Sequence, residues 1–218
     1  VCKIIEAIAQ INPVVNWSLS IYGVGHIAAA VLYALLQIPK TKSIGSAWRY
    51  FGCAPGYYQG YNKHGKWLSW FLGQYFQFYR KHPECYYGKI INYRFQYETL
   101  KNEAGDYKEY AEKYLNIIHP NRRSYHIYKT GKLPYFHLVR RARRYAFKIF
   151  LSHYYILAYA QYYHKIPTSL RKDEQFFINA TCCYQIEPPP LFLKTLKSLL
   201  PENDDSWKDI VYGDYDDS

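Results

Sequence analysis

In the stretch KWLSWFLGQYFQFYRKH, apolar residues stand at 67, 68, 71, 72, 75, 76 and 79, the three-and-four spacing that keeps them together on a helix. His82-Pro83 ends that helix, because proline cannot continue the turn. The same spacing predicts the longest helix over 135–163 and helical structure through 84–118, interrupted at Gly105-Asp106. Upstream, KIIEAIAQI (3–11) reads as a short helix stopped at Asn12-Pro13, and a second helix runs over 26–37 ahead of Pro39. Ser43 caps a third that continues to Phe51, with Gly52 as its stop. CAPGYYQGYNKHG (53–65) and the basic stretch HPNRRSYHIYKTGKLP (119–134) read as loops. PPP at 188–190 sets off a small helix, LFLKTLKSLL, from an acidic end. No set of alternating strands and no internal repeat is present, so the expected class is all-α: a compact helical domain over 1–165, a helical extension over 166–200 and an acidic tail over 201–218.

Charge is segregated along this pattern. Between Glu6 and Glu84 there is no acid, while Lys40, Lys42, Arg49, Lys63, Lys66, Arg80 and Lys81 contribute +7. From His119 to Lys172 there are twelve bases and again no acid; from Asp173 onward ten acids face three lysines, a net of −7. The overall balance of +11 favours a polyanionic partner. In the tail, Glu202, Asp204, Asp205, Asp209, Asp214, Asp216 and Asp217 alternate with Trp207, Tyr212 and Tyr215, a layout that resembles phosphates and bases and could compete for the basic surface. A disordered solubilising tail is the competing reading.

Two stretches concentrate candidate chemistry. In YGVGHIAAAVL, Gly23 and Gly25 flank Val24, and an alanine run follows His26. That order fits a helix-hairpin-helix: the glycines allow a tight turn, Val24 pins it to the core, Ala29 lets the helices touch, and the free amides face a phosphate oxygen. The uncharged run over 7–39 invites comparison with a membrane span, but Gln10, Asn12, Pro13, Asn16, His26 and Gln37 interrupt it, and no span is expected. In FHLVRRARRYAFKIF, Arg140, Arg144 and Lys148 recur every fourth residue beside Arg141, while Val139, Ala142, Ala146, Ile149 and Phe150 line another side. No acid stands at i±4 to neutralise them, so with Arg122 and Arg123, and with Lys63 and Lys66 upstream, they are candidate phosphate contacts.

Cys2, Cys53, Cys85, Cys182 and Cys183 are odd in number and form no C-x-x-C pair, which points to a reducing cytoplasm and away from a zinc knuckle. His82-x-x-Cys85 has ligand spacing but no second pair, so no metal site is expected.

The segment IIEAIAQINPVVNWSLSIYGVGHIAAAVLYAL, followed by SAWRYFGCAP, resembles the C-terminal domain of the IS110/IS116/IS902 group of transposases, in which a helix, a G-[IV]-G hairpin and an alanine-rich helix precede an ayaGLxP stretch. NKHGKWL is similar to that family's basic K-x-G segment, ECYYGKIINYRF to its YYxxL helix, and LVRRARRYAFKIFLSHYYIL to its final ALARKLLRIxY helix, in the same order over residues 4–165. The resemblance implies DNA strand exchange by an RNA-guided recombinase, in which an N-terminal RuvC-like acidic domain works beside a serine of this domain. It implies Mg²⁺ only with that partner domain, and no cofactor for this chain.

This sequence departs from the family twice. It starts just ahead of the hairpin, so the RuvC-like half is not in it. Where the family reads roughly xxxxSG after its AP, Pro55 is followed by Gly56, Tyr57, Tyr58, Gln59 and Gly60. Ser69 is the remaining candidate nucleophile, and at helical spacing in KWLSWFL a packed or capping hydroxyl is its competing reading. The expectation is a cytoplasmic, nucleoid-associated DNA-binding chain that is not catalytic alone, with structured RNA and further copies of itself as other partners. A recombinase subunit paired with a separate nuclease chain, and a helical structural or membrane-associated protein, are the alternatives.

Overall fold

The computed structural model describes residues 2–54, 60–167, 189 and 191–208. Among them are ten α-helices and no strand, so the fold is all-α. In chain order the helices are α1 (Cys2–Ile11), α2 (Pro13–Ser20), α3 (His26–Leu35), α4 (Ile44–Tyr50), α5 (Lys63–Phe78), α6 (Tyr86–Ala104), α7 (Lys108–Leu115), α8 (Ser124–Lys129), α9 (Tyr135–Tyr163) and α10 (Phe192–Leu199). The departure from the family serine (55–59), Cys182, Cys183 and the acidic residues beyond 208 lie outside the described residues.

Local chemistry sets most boundaries. Asn12 stops α1 and starts α2 at once: its side chain accepts from Val14 N and Val15 N, each at 3.0 Å, and Pro13 takes the first helical position, where a missing N–H costs nothing. Ser43 and Ser46 form a reciprocal capping box at the start of α4. Asn62 accepts from Gly65 N at 2.9 Å and starts α5 three residues earlier than the loop reading placed it. Gly105 ends α6 with φ 89°, a left-handed conformation suited to glycine. Within the basic stretch 119–134, the turn before Gly131 is wound into the short helix α8.

The 29-residue α9 organises the rest. Its C-terminal half is buried on nearly every side: Phe147, Phe150, Leu151, Tyr155, Ile156 and Leu157 are each fully enclosed. Helices α2, α4, α5, α6 and α10 all pack against α9. Trp17 of α2 stacks on Phe150 at 6.1 Å and meets the edge of Phe192 at the same distance, so α10 shares the core built by α1 to α6 and α9. Gly88 lets α6 approach the end of α5: a Cβ there would stand 2.6 Å from Arg80 Cα. A second, smaller core of Tyr107, Ala111, Tyr128, Leu133 and Leu138 gathers α7 and α8 around the start of α9.

Between the two cores sits Glu98, 1% exposed. Arg94 reaches its Oε1 at 2.6 Å, Arg141 Nε donates to Oε2 at 2.6 Å, and the Tyr107 hydroxyl also donates to Oε2. Burial pushes this carboxyl up, but the hydrogen bonds from Tyr107 and Arg141 and the charges of Arg94 and Arg141 outweigh it and hold it below the usual 4.5. A carboxyl depressed by folding contributes stability above its unfolded value and loses it as pH falls through the folded value. Stability measured by urea denaturation should therefore drop as pH falls below about 4.5. Glu98→Gln should cost about 3–5 kcal/mol at neutral pH, because two guanidiniums lose their partner. It should also flatten that acid dependence, and an unchanged acid limb in the variant would contradict this account.

Candidate nucleic-acid interface

Residues 21–25 join α2 to α3 in a tight turn, closed by Val24 N donating to Ile21 O at 2.9 Å. Gly23 takes φ 96° and backs onto α5, where a Cβ would meet the Phe76 ring at 3.3 Å. Val24 is buried and Ala28 and Ala29 are fully enclosed against neighbouring helices, as a hairpin pinned by its central apolar residue requires. Gly25 is the N-cap of α3 and supplies no capping side chain, and open space surrounds its Cβ direction. The first-turn amides of α3 are thus not covered by a cap. His26 carries the nearest acid: Glu6 Oε1 lies 3.0 Å from its Nε2, with both side chains exposed.

On α9 the cations divide. Arg140 and Arg144 are exposed and four residues apart, on a face with α5 to one side and α6 to the other. The α5 side is marked by Arg143, whose Nε donates to Gln77 Oε1, and the α6 side by Arg141 on Glu98. Arg141 is therefore withdrawn from the phosphate-facing set, a correction to the sequence expectation. The i±4 rule compares positions within one helix, and the neutralising acid comes from another. Besides its ion pair, the Arg141 guanidinium lies 4.6 Å from the Tyr107 ring centre. Arg143, half-buried against Gly73, was not singled out in the sequence because it falls outside the every-fourth stripe.

Lys148 lies over the Trp48 ring at 4.8 Å, and burial lowers its ammonium, with the charges of Arg144 and Arg94 acting in the same direction. Lys66, exposed on α5, sits over the Tyr61 ring at 4.2 Å, and Lys63 is exposed one turn earlier. Lys148 and Arg144 of α9 and Lys66 of α5 all act on one buried group, the Cys53 thiol. Arg122 and Arg123 are exposed just ahead of α8, on the smaller core.

The same thiol holds Ser69. Its Oγ lies 3.1 Å from Cys53 Sγ, its hydrogen-bond partner among the described residues. Burial pushes the Cys53 thiol up to about 11, although the Ser69 hydrogen bond and the three cations pull the other way. A protonated thiol is no general base, and the Ser69 hydroxyl is held on it between α4 and α5. Among the described residues no group of three or more His, Cys, Asp or Glu side chains could hold a metal ion.

The hairpin and the Lys66 cluster do not form one site. Gly23 touches Phe76 near the C-terminal end of α5, whereas Lys63 and Lys66 stand in its first turn. At 1.5 Å per residue those ends are about 20 Å apart.

No family model, no curated protein and no solved structure matches this chain.

Proposed function

We propose that the chain binds nucleic acid through its phosphates, with little dependence on base sequence, and that it is not catalytic by itself. The observation that carries this reading is the open face of α9: Arg140 and Arg144 are exposed there, flanked by Lys66 and Lys148, and the carboxylate paired with α9 among the described residues, Glu98, is consumed beneath it. Such a surface of like charges is answered by a polyanion, whose condensed counterions pass into solution as the arginines and lysines take their place. The uncapped N-terminus of α3 adds a second contact of the kind that suits a phosphate oxygen, one that reads no base.

The resemblance to the IS110 group supports the same surface, since its hairpin, its basic segment and its final helix fall on α2–α3, the start of α5 and α9. A working recombinase subunit is the weaker reading. The hydroxyl nearest the cations shares its hydrogen bond with a protonated thiol, and a strand-transfer nucleophile needs a base beside it. Any catalysis would then belong to a RuvC-like partner with its own Mg²⁺. Among the described residues no helix is long and apolar enough to cross a membrane. A basic face that meets anionic lipid instead of nucleic acid would show itself as binding to anionic vesicles and none to DNA.

Titration of a short duplex over a series of salt concentrations tests the proposal. Affinity should fall steeply with salt, and Arg140→Gln with Arg144→Gln should lower the slope of log K against log salt by about 2, near 0.9 per lost contact. An unchanged slope would remove α9 from the interface. Gly25→Val isolates the hairpin, because φ is −91° and nothing lies within 4 Å of the added Cβ. Helix content by circular dichroism should be retained while duplex affinity falls about tenfold, the worth of one hydrogen bond to a charged group. Full affinity in the folded variant would show that the hairpin amides meet no phosphate.

A further inference from the structure

Helix α5 presents two apolar stripes where one would suffice for packing. Leu68, Leu72 and Phe76 are completely buried and hold the helix to the core. The neighbouring stripe, four residues apart at each step, is a ladder of rings: Trp67 stacks on Phe71 at 4.8 Å, Phe71 meets Tyr75 at 4.6 Å, and Tyr75 meets Tyr79 at 6.2 Å. The ladder continues off the helix, with Tyr22 edge-on to Tyr79 at 5.2 Å and His82 stacked on Tyr22 at 4.0 Å, beside Gly23. Within the ladder Trp67 and Tyr75 are exposed while Phe71, Tyr79 and Tyr22 are partly buried against the core, and Phe78, 80% exposed, stands edge-on to Tyr79 at 5.0 Å. Contiguous exposed aromatic surface of this kind marks an interaction site.

The chemistry around the ladder specifies the partner. A cleft of about 620 Å³ opens at the end of α5, with Tyr75, Phe78 and Tyr79 on its wall. Among the described residues every charged side chain lining it is a cation: Arg80, Lys81 and Arg143. The charges of Arg140 and Arg80 also bear on Arg143, which brings α9 to the cleft wall. Gln77 accepts from the Arg143 Nε and fixes its guanidinium at the rim, and Gln74 adds a side chain able to bond a base edge. Asn92 holds the turn in place by donating to the Arg80 carbonyl at 3.2 Å. An apolar protein partner or a second copy of this chain would use the rings but leave three like charges unanswered. A duplex would answer the charges, but its bases are already stacked on one another and cannot lie on the rings.

We infer that this ridge and cleft bind single-stranded nucleic acid, with unstacked bases on Tyr75, Phe78 and Tyr79 and the backbone on Arg80, Lys81 and Arg143. The inference rests on the nucleic-acid reading above and extends it from phosphate contact to strand state. Every base has a π-face, so such a platform tolerates any sequence. The cleft lies at the hairpin end of α5, so a strand leaving a duplex on α9 would reach it directly.

The test uses the full chain and labelled oligothymidylate and oligouridylate of about 15 nucleotides, the order of site size for such grooves, beside a duplex of equal length, read by fluorescence anisotropy. Tyr75→Ala and Phe78→Ala should each weaken single-strand binding about tenfold while leaving duplex affinity unchanged. Both side chains are exposed, so the variants keep the core. Lys81→Gln should lower the single-strand salt slope by about 0.7. Single-strand affinity unchanged in both aromatic variants, with duplex binding intact, would overturn the ridge proposal alone. Binding to neither polymer would overturn it together with the nucleic-acid reading. Sedimentation in which Phe78→Ala abolishes self-association but not oligonucleotide binding would overturn it in favour of a contact between copies.

Discussion

Residues 149–157 of α9, with Phe150, Leu151, Tyr155, Ile156 and Leu157 fully enclosed, are buried on all sides, and the remaining elements take their places from that enclosure. A helix with apolar residues all round is stable only as a central strut, and α2, α4, α5, α6 and α10 supply the walls. The other half of the same helix, from Tyr135 to Lys148, is two-sided: Ala142, Ala146 and Phe147 stay in the core while Arg140 and Arg144 stand exposed. The strut therefore fixes the charged half rigidly to the packed half. A surface of arginines on a loop would lose rotational freedom on meeting a ligand; one on a helix anchored this way has already lost most of it.

Holding so many cations together has a cost, and the structure limits it in two ways. Glu98 absorbs Arg94 and Arg141 in a buried cluster completed by the Tyr107 hydroxyl. Aromatic rings take up others: Lys148 lies over Trp48, Lys66 over Tyr61, and Arg140 over Phe136 at 5.3 Å. The abundance of tyrosine, 27 residues, thus has a use beyond core volume, since a ring face steadies a cation without neutralising it. Arg144 keeps its exposed position on α9 between these arrangements.

Much of this was legible in the chain. The period of α9 gave its limits, Ser43 announced α4, and Gly105 announced the break after α6, because each of these is set by residues close in sequence. What escaped was set by distance or by double meaning. Asn12-Pro13 reads as a stop, yet the same pair caps the next helix. The seven apolar positions in this stretch read as one packing face, but only 68, 72 and 76 are fully buried; 71 and 79 are partly buried against the core, and 67 and 75 stay exposed. The Glu98–Arg141 pair joins positions 43 apart, beyond the reach of any local rule, and it removes one arginine from a stripe that looks uniform in sequence. The hairpin fell where the glycines placed it, while the identity of its neighbours, Phe76 and Tyr79, needed the fold.

The central claim is that the exposed cations of α9 and of the start of α5 meet nucleic-acid phosphates, with the hairpin as a separate second contact. Amide and side-chain chemical shifts of the isotopically labelled chain, followed during addition of a short duplex at low salt, test it most directly. The account predicts that perturbations concentrate at Arg140, Arg144, Lys66 and the first turn of α3 around Gly25 and His26, and that the Arg141 side chain, held on Glu98, stays unmoved. Shifts confined to α10, or a spectrum indifferent to the duplex, would contradict it.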